Sequence, residues 1–173
     1  MSKSPEKEEV LNPEQMSEAL RMVCEHQYGV VDSSFLCRPV STLDPSEPLT
    51  VRESSSVDEV MLLLKNNRVG CVLVVNDEDK LVGIFSERDF VIKVYGTEGE
   101  HETPISKHMT PNPITVAPDE TIAYAMNLMS QGGFRHLPLV DDQNYPIGIV
   151  SVKDAIDQIS SSFLDDLLDF EES

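Results

Sequence analysis

Gly83-Ile84-Phe85-Ser86-Glu87-Arg88-Asp89 and Gly148-Ile149-Val150-Ser151-Val152-Lys153-Asp154 share the pattern Gly-apolar-apolar-Ser-x-x-Asp, with their glycines 65 positions apart. The same offset holds upstream without a gap: Thr50-Val51 falls on Thr115-Val116, Met61 on Met126, Leu63 on Leu128, Val75 on Val140 and Asp77 on Asp142. A register kept over about forty positions marks a duplication, the first thing to settle in reading a fold. Two copies make neither an extended solenoid nor a propeller. Each half therefore needs the other to bury its apolar face.

Composition narrows the possible roles. The chain has 173 residues, enough for one compact domain or for two small repeats around a shared core. Its net charge of −18 repels nucleic-acid backbones and anionic lipid surfaces, so neither is expected as a partner. No apolar run nears the roughly twenty residues of a bilayer span, and Met1 to Glu9 lack the pattern of a signal peptide, so a cytoplasmic location is expected.

Cys24, Cys37 and Cys71 are odd in number with no CxxC spacing, which argues against a disulfide framework or a zinc site. Cys71 opens an apolar run and reads as packed. His26, His101, His108 and His136 stand singly, so no metal site is expected. There is no GxxxxGK[ST] loop and no nucleophile-base-orienter set, so the chain is not expected to be an enzyme.

Taken in order, residues 1–11 read as a mobile tail. Asn12, Pro13 and Gln15 then open a helix over 13–28, with Met16, Leu20, Val23 and Cys24 as its apolar stripe and Gly29 as its stop. A Pro-rich lead-in follows, so residues 1–48 precede the first repeat.

Repeat one, residues 49–96, reads strand, helix, strand, strand, helix: Leu49–Val51, a helix from the Ser56-x-x-Glu59 capping box, Cys71–Val75, Leu81–Phe85, and a helix from Ser86 to about Tyr95. The first two strands flank a helix and should be parallel neighbours. Residues 97–113 are a linker and a second lead-in, biased toward extended backbone by Pro111 and Pro113.

Repeat two, residues 114–160, follows the same plan with Ile114–Val116, a helix from about Glu120 to Gln131, Leu137–Val140, Ile147–Val150 and a helix from Val152. In the acidic tail, 161–173, Phe163, Leu164, Leu167 and Leu168 share one helical side that needs a partner surface. The fold class is α+β.

Two readings of the Gly-x-x-Ser-x-x-Asp motif stay open. A strand ending at Gly and a helix starting at Ser place backbone N–H groups and a hydroxyl where a phosphate is favoured, and a carboxylate one turn later suits a ribose diol. The same Ser-x-x-Asp is also a capping box that stabilises a helix by about 1 kcal/mol with no ligand. Repeat two tips the balance toward a ligand, because Arg135, His136 and Lys153 form a basic cluster in a strongly acidic chain, whereas Gly70 and Cys71 hold the aligned places of repeat one. Arg can grip phosphate with a bidentate fork.

The tandem repeat resembles a CBS-domain pair, the Bateman module, over about residues 39–160, and looks like a stand-alone pair of the bacterial type. The resemblance implies two β-α-β-β-α repeats about a pseudo-twofold axis, homodimerisation through the pairs, and two clefts for adenosine-containing ligands. It implies a non-catalytic regulatory module binding AMP, ADP or ATP, with any Mg²⁺ carried by the nucleotide, and acting on an unknown regulated protein by a change of shape or dimer packing.

By that arrangement the second cleft takes Asp154 for ribose, Ser151 and the helix start for ribose or phosphate, Arg135, His136 and Lys153 for phosphate, and Leu49, Val69 and Gly70 around the adenine. The first cleft takes Asp89, Ser86 and Arg88 with Ile114 and Phe134, and is expected to be the weaker. The alternatives are a ligand-free dimerisation or protein-interaction module, or a sensor of another adenosyl ligand such as S-adenosylmethionine.

Overall fold

A computed structural model describes residues 33–171, and their side chains from 35 to 161. The tail at 1–11 and the helix expected over 13–28 lie outside the described residues, as do the side chains of the apolar stripe at 163–170. A short helix α1 (Ser33–Cys37) and a 3-10 turn (Val40–Leu43) lead to β1 (Thr50–Arg52).

Helix α2 (Val57–Asn67) begins at Ser56 because the predicted capping box forms: Glu59 Oε2 accepts from Ser56 N at 2.8 Å and Ser56 Oγ from Glu59 N at 3.3 Å. Val57, Val60 and Leu64 fall on its inner face and are buried. Arg68 ends it in the left-handed conformation at φ 55°, the place of Gly133 in repeat two.

Strand β2 (Cys71–Val75) is buried at all five positions because it lies between β1, its parallel neighbour as expected, and antiparallel β3 (Leu81–Ser86). Burial alternates along β3, so one face packs and the other looks outward. Helix α3 (Glu87–Asp89) continues as a π-helical turn, Phe90–Val94, where a regular helix is expected from the sequence. Gly96, at φ 83°, follows that turn.

Repeat two is built alike. Thr121 caps α4 (Ile122–Gly132), β5 (His136–Val140) pairs antiparallel with β6 (Pro146–Ser151), and α5 (Val152–Glu171) runs unbroken for 20 residues through the acidic tail. The strand expected at Ile114–Val116 contracts to a single parallel bridge from Val116 to Leu139. Pro113 and Pro118 bracket that bridge, and a proline brings no N–H to a ladder.

The lead-ins interlock the halves. Strand β4 (Thr110–Pro111), just ahead of repeat two, pairs with β3 of repeat one at Ile84 and Gly83. Ser46, ahead of repeat one, exchanges two 3.0 Å backbone hydrogen bonds with Ile149 of repeat two.

The same exchange brings Val40 N to Glu120 O at 2.6 Å and, 65 residues on, Ile105 N to Ser55 O at 2.7 Å. Val40 and Leu43 accordingly pack in the core of repeat two with Ile122, Met129 and Leu137, while Ile105 packs in that of repeat one with Leu64, Phe85 and Val94. The motif glycines serve this crossing. A Cβ on Gly83 would collide with the Met109 thioether, and one on Gly148 would come within 3.1 Å of Pro45 Cβ.

Candidate functional site

Both motif boxes close on themselves. Asp89 Oδ2 accepts from Ser86 N at 2.9 Å and Ser86 Oγ at 2.6 Å, while Ser86 Oγ sits 3.3 Å from Asp89 N. The second box repeats this, with Asp154 Oδ2 at 2.6 Å from Ser151 N and 3.0 Å from Ser151 Oγ. Capping is thus a real property of the motif, and any ligand must use the atoms left over.

The residue one turn beyond the aspartate differs in charge between the two boxes. Asp89 Oδ1 meets the Lys93 ammonium at 2.8 Å, whereas the position 65 residues on is Gln158, which carries no charge.

A cleft of about 640 Å³ opens over the first box. Repeat one contributes Ile84, Ser86, Glu87, Arg88, Asp89 and Ile92, the second lead-in contributes Asn112, and repeat two contributes Ile114, Phe134, Arg135 and His136. All five residues expected in the first cleft, Ser86, Arg88, Asp89, Ile114 and Phe134, line it together.

Gly70, Arg135 and His136, expected around the second box, line this same cleft. The reason is the meeting of the turns before β2 and β5. Glu87 N donates to Gly70 O at 3.1 Å, Val152 N donates to Arg135 O at 3.1 Å, and a Cβ on Gly70 would lie 3.1 Å from His136 Cε1. The basic pair of repeat two, beside Ser151 in the β5–β6 pairing, therefore also lines the cleft over the Ser-Asp box of repeat one.

Leu49, Val69, Ser151, Lys153 and Asp154 are not among the residues lining this cleft. The Lys153 side chain is 78% exposed and pairs with Asp157 on its own helix. Leu49 O instead accepts from Leu73 N at 2.9 Å.

The electrostatics of the cleft are mixed. Arg88 Nη1 reaches from repeat one to Gly133 O of repeat two at 2.9 Å, which leaves its other donors for a ligand. Burial, and then the Arg135 guanidinium, push the His136 imidazole below its ordinary range, against an upward pull from Asp154 and Glu87. Burial, with Asp89 and Glu87 nearby, pushes the Cys71 thiol up to about 12. Cys71 is thus a neutral, packed side chain at physiological pH, not a nucleophile.

Glu87, Ile92 and Asn112 belong to the cleft and are not candidates from the sequence. Ile92 has the one signal available, the three-residue helical spacing from Asp89. Among the described residues no His, Cys, Asp and Glu group could hold a metal ion, and no helix is long and apolar enough to cross a membrane.

The arrangement suits a flat, phosphorylated ligand: apolar walls at Ile84, Ile92, Ile114 and Phe134, a carboxylate and hydroxyl at the helix start, and the Arg88 and Arg135 guanidinium groups in the same lining.

Comparison with known proteins agrees with the duplication. The family model described as CBS domain matches residues 40–96 and 105–161, two spans that begin 65 residues apart. An uncharacterized protein of Methanopyrus kandleri is 34% identical over 109 residues, which cover 62% of this chain and 56% of that protein. The chain thus spans little more than half the length of that relative.

Among solved structures, CBSX2 in complex with AMP matches with a TM-score of 0.59 and 26% identity, covering 69% of this chain and 94% of the other. The CBS domain pair of MJ0100, in complex with 5′-methylthioadenosine and S-adenosyl-L-methionine, matches with a TM-score of 0.62 and 27% identity, covering 69% and 97%.

Proposed function

The chain belongs to the CBS-domain family, and we propose that it is a non-catalytic regulatory module that binds an adenine nucleotide, AMP, ADP or ATP, between its two repeats. The observation that carries this is the meeting of Asp89 and Ser86 with Arg88, Arg135 and His136 around one apolar-walled cleft. The nucleotide is assigned to the first cleft, with Asp89 toward the ribose, Arg135 and Arg88 toward phosphate, and Ile114 and Phe134 against the base.

The AMP complex of CBSX2 supports a nucleotide, and the complexes of MJ0100 support adenosyl ligands more broadly. The guanidinium groups favour a phosphate over the sulfonium cation of S-adenosylmethionine. Signalling then runs through a change of shape or of homodimer packing, which requires the ligand to distinguish two states.

One observation favours a second reading. Both Ser-Asp boxes are satisfied without a ligand, and Val91, Ile92 and Tyr95 expose 63, 68 and 74% of their surface on one short stretch after the first box. An interaction module with empty clefts would look the same there. Calorimetry of nucleotide-stripped protein with AMP, ADP, ATP and S-adenosylmethionine separates the two. Micromolar binding of a phosphorylated ligand is expected, and no heat from folded protein with any of the four overturns the reading.

A further inference from the structure

Lys93 engages three acceptors at once. Its ammonium lies 2.8 Å from Asp89 Oδ1 and donates to His108 O at 2.8 Å and to Thr110 Oγ1 at 3.3 Å. That accounts for all three of its donors. The side chain is about one-third exposed, at 35%, and the Asp89 side chain less, at 19%.

Lys93 lies in the π-helical turn, a local widening that recurs at functional sites.

Two of the three acceptors, His108 O and Thr110 Oγ1, belong to the linker and lead-in between the repeats. His108 is buried, with Nε2 2.7 Å from Thr103 Oγ1 and 3.1 Å from Glu100 Oε2. Thr103 O in turn accepts from Val57 N, at the start of α2, at 3.1 Å. Thr110 opens β4, and the chain then runs directly into Asn112 and Ile114 of the cleft wall. One ammonium thus joins the carboxylate in the cleft to the segment that leads into Asn112 and Ile114 of its lining. In repeat two the aligned residue is the uncharged Gln158.

We infer that Lys93 is a positioning residue that couples occupancy of the Asp89 cleft to the packing of the inter-repeat linker over residues 100–110. The inference rests on the reading of the cleft as a nucleotide site. Asp89 Oδ2 is already taken up by Ser86, so a ligand hydroxyl must share Oδ1 with Lys93. A shared carboxylate oxygen holds the ammonium less tightly, and its bonds to His108 O and Thr110 shift in consequence. Because coupling of this kind is reciprocal, loosening the linker changes affinity at the cleft by the same factor.

The test is backbone hydrogen exchange over residues 100–110 in the full chain, read by mass spectrometry with and without AMP, for wild type, Lys93→Met and Lys93→Arg. Without nucleotide, Lys93→Met is expected to speed exchange at the amides of His108 and Met109 several-fold, and Lys93→Arg to restore much of the protection. No increase in a folded Lys93→Met protein overturns the tether whatever the ligand is.

With AMP, exchange in this segment should change in wild type and not in Lys93→Met, even at AMP concentrations that saturate the variant. An equal response in both overturns the coupling. AMP that binds wild type without altering 100–110 overturns it too and leaves the nucleotide reading standing. Failure of wild type to bind AMP, ADP or ATP overturns both. If Lys93→Met does not fold, the same comparison is made with Thr110→Val, and an AMP response equal to that of wild type overturns the coupling.

Discussion

Ser86 Oγ donates to Asp89 Oδ2 at 2.6 Å, and Ser151 Oγ donates to Asp154 Oδ2 at 3.0 Å, so each motif holds its own helix start before any ligand arrives. Replacing either aspartate by alanine therefore removes a cap as well as a candidate ligand contact. Asparagine separates the two effects, because its amide oxygen still accepts from the serine while the charge is lost. Asp89→Asn is expected to lose the Lys93 ion pair, about 1 kcal/mol, and Asp89→Ala to lose the cap as well, about 1 kcal/mol more. It should weaken AMP binding by about tenfold, the scale of one charge-assisted hydrogen bond. Asp154→Asn should leave AMP affinity nearly unchanged. Calorimetry and urea unfolding on the three variants check this, and the reverse order of the two aspartates would move the ligand to the second box.

Arg135 lines the same cleft as Asp89 and is assigned to the phosphate end of the ligand. Arg135→Ala should weaken AMP about 10- to 100-fold, as expected for a lost charge-assisted hydrogen bond. Binding of adenosine, which has no phosphate, should change by less than about threefold. Equal losses for AMP and adenosine would show that Arg135 supports the wall and does not contact phosphate.

The 65-residue period made most of the fold legible, because one set of strand and helix patterns had to serve twice. The crossing of the lead-ins was not legible. Val40 packing under repeat two and Ile105 under repeat one are long-range partnerships of short Pro-bounded segments, which carry no periodicity of their own. The placement of Arg135 and His136 had the same cause. Spacing assigns the pair to repeat two, but only the contact of the turns at Gly70 and His136 brings it into the cleft over the box of repeat one. The Ser-x-x-Asp pattern was ambiguous for a different reason: cap and ligand contact ask for the same atoms.

Phe85, inside the first motif, is fully buried against the Leu64, Val94 and Ile105 cluster. Phe85→Ala should cost about 3–5 kcal/mol by leaving a cavity there. Ile105 reaches that core from the linker, so the loss should loosen the linker along with repeat one. Urea unfolding followed by circular dichroism gives the magnitude, and a cost below about 1 kcal/mol would mean that the core rearranges around the gap.

His136 supplies a pH dependence whose sign is fixed. Burial and Arg135 lower its folded-state pKa, whereas the unfolded chain titrates near the ordinary value of 6.5. Below that value the unfolded state binds the proton more readily, so stability is lost as pH falls through 6.5 toward the lowered folded value. His136→Gln removes this contribution, and the variant should lose less stability than wild type between about pH 7.5 and 5.5 in urea unfolding. A phosphate in the cleft would favour the imidazolium and raise the folded pKa, so saturating AMP should flatten the wild-type profile toward that of the variant. Parallel profiles for wild type and His136→Gln, each unmoved by AMP, would remove His136 from both the acid sensitivity and the phosphate end of the cleft.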